Sequence, residues 1–110
     1  MKNIRGRFYF KKTRNGNLLG EFSNNAGDRS WTESCDLIDG DNCDFIGTYN
    51  SSWQENGKAL FANLSISRKG GENSQIFELT WQRNGKLIFQ GEGMLCDDML
   101  VGDYNYTQTA

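Results

Sequence analysis

Phe45-Ile46-Gly47-Thr48-Tyr49 (FIGTY) sets a glycine where a strand ordinarily carries a packing side chain. The arrangement recurs. Ile4-Arg5-Gly6-Arg7-Phe8, Leu18-Leu19-Gly20-Glu21-Phe22, Phe89-Gln90-Gly91-Glu92-Gly93 and Leu100-Val101-Gly102-Asp103-Tyr104 share its pattern, apolar-x-Gly-x, and in four of the five a ring follows. Side chains two apart lie on one face of a strand, so each glycine shares a face with its apolar neighbours. Glycine weakens a strand interior, and five repeats need a reason. Inward glycines relieve crowding where strands coil sharply, and they leave room for large rings opposite. The repeat therefore predicts a small, ring-filled β-barrel, with Gly47 as one of its inward glycines.

Turn signals outside these motifs support that reading. Asn15-Gly16, Asn56-Gly57 and Asn84-Gly85 are dipeptides that tolerate positive φ at the tip of a tight hairpin. Asn24–Asp28, Asp39–Asn42, Lys69–Gly71 and Asp97-Asp98 supply four more breaks. Eight segments remain, at 4–13, 17–24, 29–38, 43–54, 58–68, 74–83, 86–96 and 99–107. Most alternate with period 2, as in Phe77, Leu79 and Trp81 against Glu78, Thr80 and Gln82. No helical stretch of useful length is present. Eight strands joined by short turns leave two exposed edges unless the sheet closes, and eight is a number at which closure works. The expected fold is a single all-β domain over 1–110: an eight-stranded antiparallel up-and-down barrel, or meander. A two-sheet sandwich is the alternative.

With the glycine face taken as inward, twelve of the fourteen aromatics point in and only Tyr9 and Phe61 point out. Rings carry this core, because aliphatic residues are few and each ring buries a large area. At 110 residues the chain supports one modest core. Its opening residues lack the apolar run of a secretory signal, and no segment approaches the roughly 20 apolar residues of a membrane helix. Three cysteines, Cys35, Cys43 and Cys96, are an odd number and point to a reducing, cytoplasmic setting.

Two segments carry a family resemblance. GTYNSSW (Gly47–Trp53) and LVGDYNY (Leu100–Tyr106) resemble the G-T-Y strand and the final L-V-G strand of avidin-like proteins, within the wider calycin-like barrels that include lipocalins. The N-terminal Gly-x-Trp typical of calycins is here Gly6-Arg7-Phe8, and biotin-contacting residues do not map position by position. The resemblance implies a barrel with an open end that holds a small molecule.

The residue inventory narrows the chemistry. Histidine is absent, which removes Ser-His-Asp and Cys-His catalysis and His-dependent metal sites. The cysteines lack C-x-x-C spacing, and no phosphate-binding glycine loop occurs. No metal or cofactor is expected. The acidic stretch Asp36–Asp44 does not follow the EF-hand pattern and reads as a solvated turn. Six of twelve basic residues lie in the first fourteen positions, leaving 6 basic against 14 acidic groups, a balance of −8, in the remainder. Lys2, Arg5, Arg7, Lys11, Lys12 and Arg14 thus form either an anion or nucleic-acid face or a basic strand laid against acidic neighbours. Tyr9, between Arg7 and Lys11, is the only outward ring with basic neighbours, and the acidic whole makes nucleic acid the weaker reading.

The candidate ligand-binding residues are Trp31, Glu33, Tyr49, Trp53, Trp81 and Tyr104. The rings either wall a pocket or simply fill the core. Glu33 lies among rings if its face is inward and in water if it is outward. A non-enzymatic barrel binding a small, mostly apolar ligand, or acting as an interaction module, is the favoured function. An enzyme using Glu33 and Tyr104 and an anion binder using Arg5, Arg7 and Lys11 are the alternatives. Outward Leu19, Ile46, Ile88 and Val101 predict a homodimer face, and no membrane partner is expected.

Overall fold

The computed structural model describes residues 3–41 and 44–107. Lys2, Asn42 and Cys43 therefore lie outside the described residues. Eight strands follow in order: β1 (Arg5–Lys12), β2 (Leu18–Asn24), β3 (Ser30–Gly40), β4 (Gly47–Glu55), β5 (Lys58–Arg68), β6 (Phe77–Arg83), β7 (Lys86–Cys96) and β8 (Met99–Tyr106). Each pairs antiparallel with the next, and β8 returns to β1 to close the barrel. Among the described residues no strand edge is left unpaired, so the barrel and not the sandwich is the solution found. At the joint, Gly6 faces Tyr104 and Phe8 faces Gly102, and the Tyr106 amide donates to the Ile4 carbonyl at 2.9 Å. Among the described residues no helix is long and apolar enough to cross a membrane.

The Asn-Gly tips behave as their chemistry dictates. Asn56 and Gly57, and Asn84 and Gly85, all have positive φ, the pairing that matches hairpin twist. Asn15-Gly16 differs: only Gly16 is positive, inside a wider loop where Thr13 accepts from the Asn17 and Gly16 amides. The acidic stretch also departs from a simple turn, because β3 runs on through Gly40. Asp44 then turns the chain by accepting the Ile46 amide at 3.1 Å.

Two of the inward glycines, Gly6 and Gly20, sit under rings from the adjoining strand, while Gly91 and Gly102 lie against neighbouring backbone carbonyls. A Cβ at Gly6 would come within 2.5 Å of the Tyr104 ring, and one at Gly20 within 2.8 Å of Phe10 and 1.9 Å of the Tyr9 carbonyl. Gly47 obeys a different rule. It opens β4 opposite Gly40 just beyond a register shift at Leu37/Asp39, and both glycines have positive φ, +155° and +152°. A Cβ there would meet the Asp39 carbonyl at 2.6 Å, so the hairpin entrance rather than a ring requires this glycine.

The interior has two halves. Phe10, Leu18, Tyr49, Leu64, Phe77, Leu79 and Leu100 are almost fully buried and pack the end that holds the β1–β2, β3–β4, β5–β6 and β7–β8 connections. Each such side chain removed from water contributes roughly 1.5–3 kcal/mol. The opposite half is made of rings meeting edge to face: Phe22–Tyr104 at 6.1 Å, Trp53–Phe89 at 6.3 Å and Trp81–Phe89 at 6.4 Å between centroids. Outside, Phe61 is exposed as expected, while the anticipated four-residue apolar face does not assemble. Ile46 and Ile88 pack partly against the core, leaving Leu19 and Val101 exposed on strands separated by β1.

Gly20→Ala should lower stability by about 1–3 kcal/mol, the range for overpacking an interior. Gly27→Ala, with open space around it, should change stability by less than about 0.5 kcal/mol. Denaturant unfolding of both variants compares the two, and equal losses would sink the ring-over-glycine account.

Candidate functional site

Rows of the register bring the ring-rich half together. Gly20 of β2 faces Glu33 of β3, Glu33 faces Trp53 of β4, and across the barrel Trp81 of β6 faces Phe89 of β7. These residues, with Phe8, Phe22, Glu55 and Tyr104, line a recess at the end bearing the two Asn-Gly hairpins. Counted to its open mouth the recess encloses about 300 Å³, but the cavity proper is about 20 Å³. That is room for roughly one water-sized group.

Glu33 lies at the heart of it, 5% exposed. Its parity is inward because Cys35, two residues on, and Ser51 and Trp53 opposite are all buried. A buried carboxyl is costly unless donors surround it. Here three converge on one oxygen: Oε2 accepts from Ser51 Oγ at 2.5 Å, Trp81 Nε1 at 2.8 Å and Cys35 Sγ at 3.8 Å. Oε1 takes none of these bonds, and since no buried side-chain nitrogen or oxygen among the described residues lacks a partner, it is the open oxygen of a carboxyl that helps to line the recess. Burial pushes the Glu33 carboxyl upward, against the partial opposition of the Ser51 and Trp81 donors. The same burial and the nearby Glu33 raise the Cys35 thiol far above its usual range, so it is inert as a nucleophile.

The rings around Glu33 are tethered by their polar atoms. Trp81 donates to Glu33, Trp53 Nε1 donates to Glu55 Oε1 at 3.0 Å, and Tyr104 Oη accepts from Asn24 Nδ2 at 3.0 Å. Burial, assisted by the charge of Glu55 and Glu33, pushes the Tyr104 hydroxyl up to about 12. Phe89 has no such tether, is only half-buried, and sits beside the register shift at Trp81/Gln82.

Of the six candidate residues, Glu33, Trp53, Trp81 and Tyr104 meet in the recess. Tyr49 and Trp31 do not line it. Tyr49 shares an inward face with Trp53 but lies four residues away along β4, about 13 Å, in the packed half. There its hydroxyl donates to the Phe45 carbonyl at 2.8 Å and accepts from Lys12 Nζ at 2.8 Å, with burial holding its pKa well above normal. Trp31 remains at the rim, stacked on Phe22 at 5.5 Å. Sequence reasoning left Phe8, Phe22 and Phe89 as mere core and passed over Glu55, though the inward parity of the three rings marked them as available.

Elsewhere the basic strand lies among acids. Arg7 faces Asp103 across the β1–β8 pair, and Tyr9 donates to Glu21. Among the described residues no group of three or more His, Cys, Asp or Glu is placed to hold a metal ion. No protein-family model matches the chain, and neither the curated proteins nor the solved structures compared with it include a match.

Because the folded carboxyl of Glu33 is raised, its contribution to stability is complete below the usual value of 4.5 and is lost as pH rises through the folded value. Glu33→Gln retains an acceptor for Ser51 and Trp81 without the charge. Thermal unfolding from pH 4.5 upward should show the parent losing ground steadily against this variant; parallel curves would refute the raised carboxyl. Tyr49→Phe should cost about 1–2 kcal/mol through its two lost hydrogen bonds, with tryptophan emission from the recess unchanged.

Proposed function

We propose that this barrel binds a small, slim, mostly apolar molecule end-on and performs no chemistry on it. The observation that carries the reading is the pairing of an open, ring-walled recess with a carboxyl, Glu33, whose Oε2 takes three internal donors and whose Oε1 takes none of them. Ligand sites combine apolar walls with a few convergent polar groups, and the site answers that description at small scale. The calycin-like resemblance of Gly47–Trp53 and Leu100–Tyr106 is in keeping with a closed eight-stranded barrel used as a container, of lipocalin or avidin type. Phe89 acts as the door, being the ring with neither full burial nor a polar tether. A reducing, cytoplasmic compartment suits this reading, since Cys35 is a free buried thiol.

An enzyme built on Glu33 and Tyr104 is the weaker reading. A tyrosine held near 12 keeps its proton at neutral pH, and the three donors on Glu33 Oε2 constrain that carboxyl as a general base. Anion or nucleic-acid binding through Arg5, Arg7 and Lys11 is weakened by Glu21 and Asp103 on the adjoining strands.

Titration with 1-butanol and 1-hexanol, followed by tryptophan fluorescence and by line shifts of the Trp53 and Trp81 indole protons, tests the container. Both indole signals should move together and saturate. Phe89→Ala should bind the alcohols several-fold tighter while losing about 2 kcal/mol of stability, roughly half the loss for a fully buried ring. Absence of saturable binding in both the parent and Phe89→Ala would end the container reading.

A further inference from the structure

The geometry points to a primary ammonium as the group the recess receives: a slim amine whose –NH₃⁺ reaches Glu33 and whose apolar tail runs out through the ring-lined mouth. This rests on the container reading and names its ligand class. Three independent features converge on it. The first is charge. Both ionisable acids lining the recess, Glu33 at its base and Glu55 nearer the rim, are carboxylates, and no lysine or arginine lines it. The cations nearest the mouth in sequence are turned to other tasks or left in water. Arg83 Nε is directed to the Phe61 carbonyl on the outer wall at 2.9 Å, and Lys58, opposite Glu55 across its hairpin, is exposed. An anionic head would meet two carboxyls and no cationic partner in the lining.

The second feature is the wall. Rings present negative faces, and a cation within about 6 Å of several faces is attracted by each of them. Trp53, Trp81, Tyr104 and Phe89 meet one another edge to face and all line the recess, so a cation entering it lies beside several rings. The third is size combined with hydrogen bonding. The cavity admits about one water-sized group, which fits –NH₃⁺ and excludes a quaternary ammonium. Glu33 Oε1 supplies the acceptor that an N–H donor needs. Charge-assisted bonds of this kind are about twice as strong as neutral ones, and stronger still where water is excluded. An alcohol of equal length makes the neutral version of the same contact, so the two ligands share a tail and differ in the charge and donor number of the head.

n-Butylammonium, 1-butanol and tetramethylammonium, titrated at pH 7 against the intact protein, separate the alternatives. Butylammonium should bind at least tenfold tighter than butanol and at least tenfold tighter than tetramethylammonium. Glu33→Gln should bring butylammonium and butanol to within about twofold of each other, and Glu55→Gln should reduce the preference two- to threefold. Circular dichroism verifies that each variant is folded; if Glu33→Gln is not, the parent ratio and Glu55→Gln decide. Saturable butanol binding with equal or weaker butylammonium binding overturns the amine and leaves the container standing. Failure of both ligands, in the parent and in Phe89→Ala, overturns the two together.

Discussion

Width is the constraint from which the rest of this molecule follows. Eight closed strands enclose an interior only a few side chains across, and this chain fills it with rings rather than aliphatics. A ring directed inward needs its space cleared on the neighbouring strand, which is why Tyr104 lies against Gly6 and Phe10 against Gly20. Packing and coiling are therefore one arrangement: the missing side chain that admits the ring also lets the backbones approach. Substitution at these glycines acts on the curvature of the wall as well as on the core.

Flat, stiff rings do not tile as aliphatic chains do. In the half where Leu18, Leu64, Leu79 and Leu100 are mixed with Phe10, Tyr49 and Phe77, the gaps close and those residues are all but inaccessible. In the half made of Phe22, Trp53, Trp81, Phe89 and Tyr104, edge-to-face contacts leave a slot, and the polar edges of three of those rings must be satisfied. Glu33, Glu55 and Asn24 are the partners that do so. The buried carboxyl thus has a structural purpose, orienting Trp81, beside the binding role proposed for its second oxygen.

The fold was legible because alternation and turn chemistry agree along most of the chain. Seven connections and five glycine motifs point to the same closed meander, and strand limits differ mainly at β4 and β6, which begin at Gly47 and Phe77. The site was legible only by face. Period 2 tells which side a residue takes but not its height along the barrel, so Tyr49 and Trp53 looked equivalent although one is sealed and the other lines the recess. Glu33 was ambiguous for another reason: one face of Ser30–Cys35 is polar throughout and the other sets the charged Glu33 between Trp31 and Cys35, so only pairing with Ser51 and Trp53 reveals which is inside. Gly47 shares the motif of its relatives yet answers to positive φ at a hairpin, a distinction the pattern does not encode.

The joint between β1 and β8 carries a cost that no other strand pair does. Every other pairing joins neighbours along the chain, whereas Gly6 meets Tyr104 across nearly the whole sequence. Closing a loop on the order of 100 residues costs roughly 4 kcal/mol of chain entropy before the constant term, set against a small number of ladder bonds and ring contacts. The recess straddles this seam, with Phe8 from one side and Tyr104 from the other. It exists only while the seam is shut, so an occupant acts as a rivet through the last-made joint: it binds the closed cylinder and not the unrolled sheet, and resists opening at the place where opening returns the most entropy.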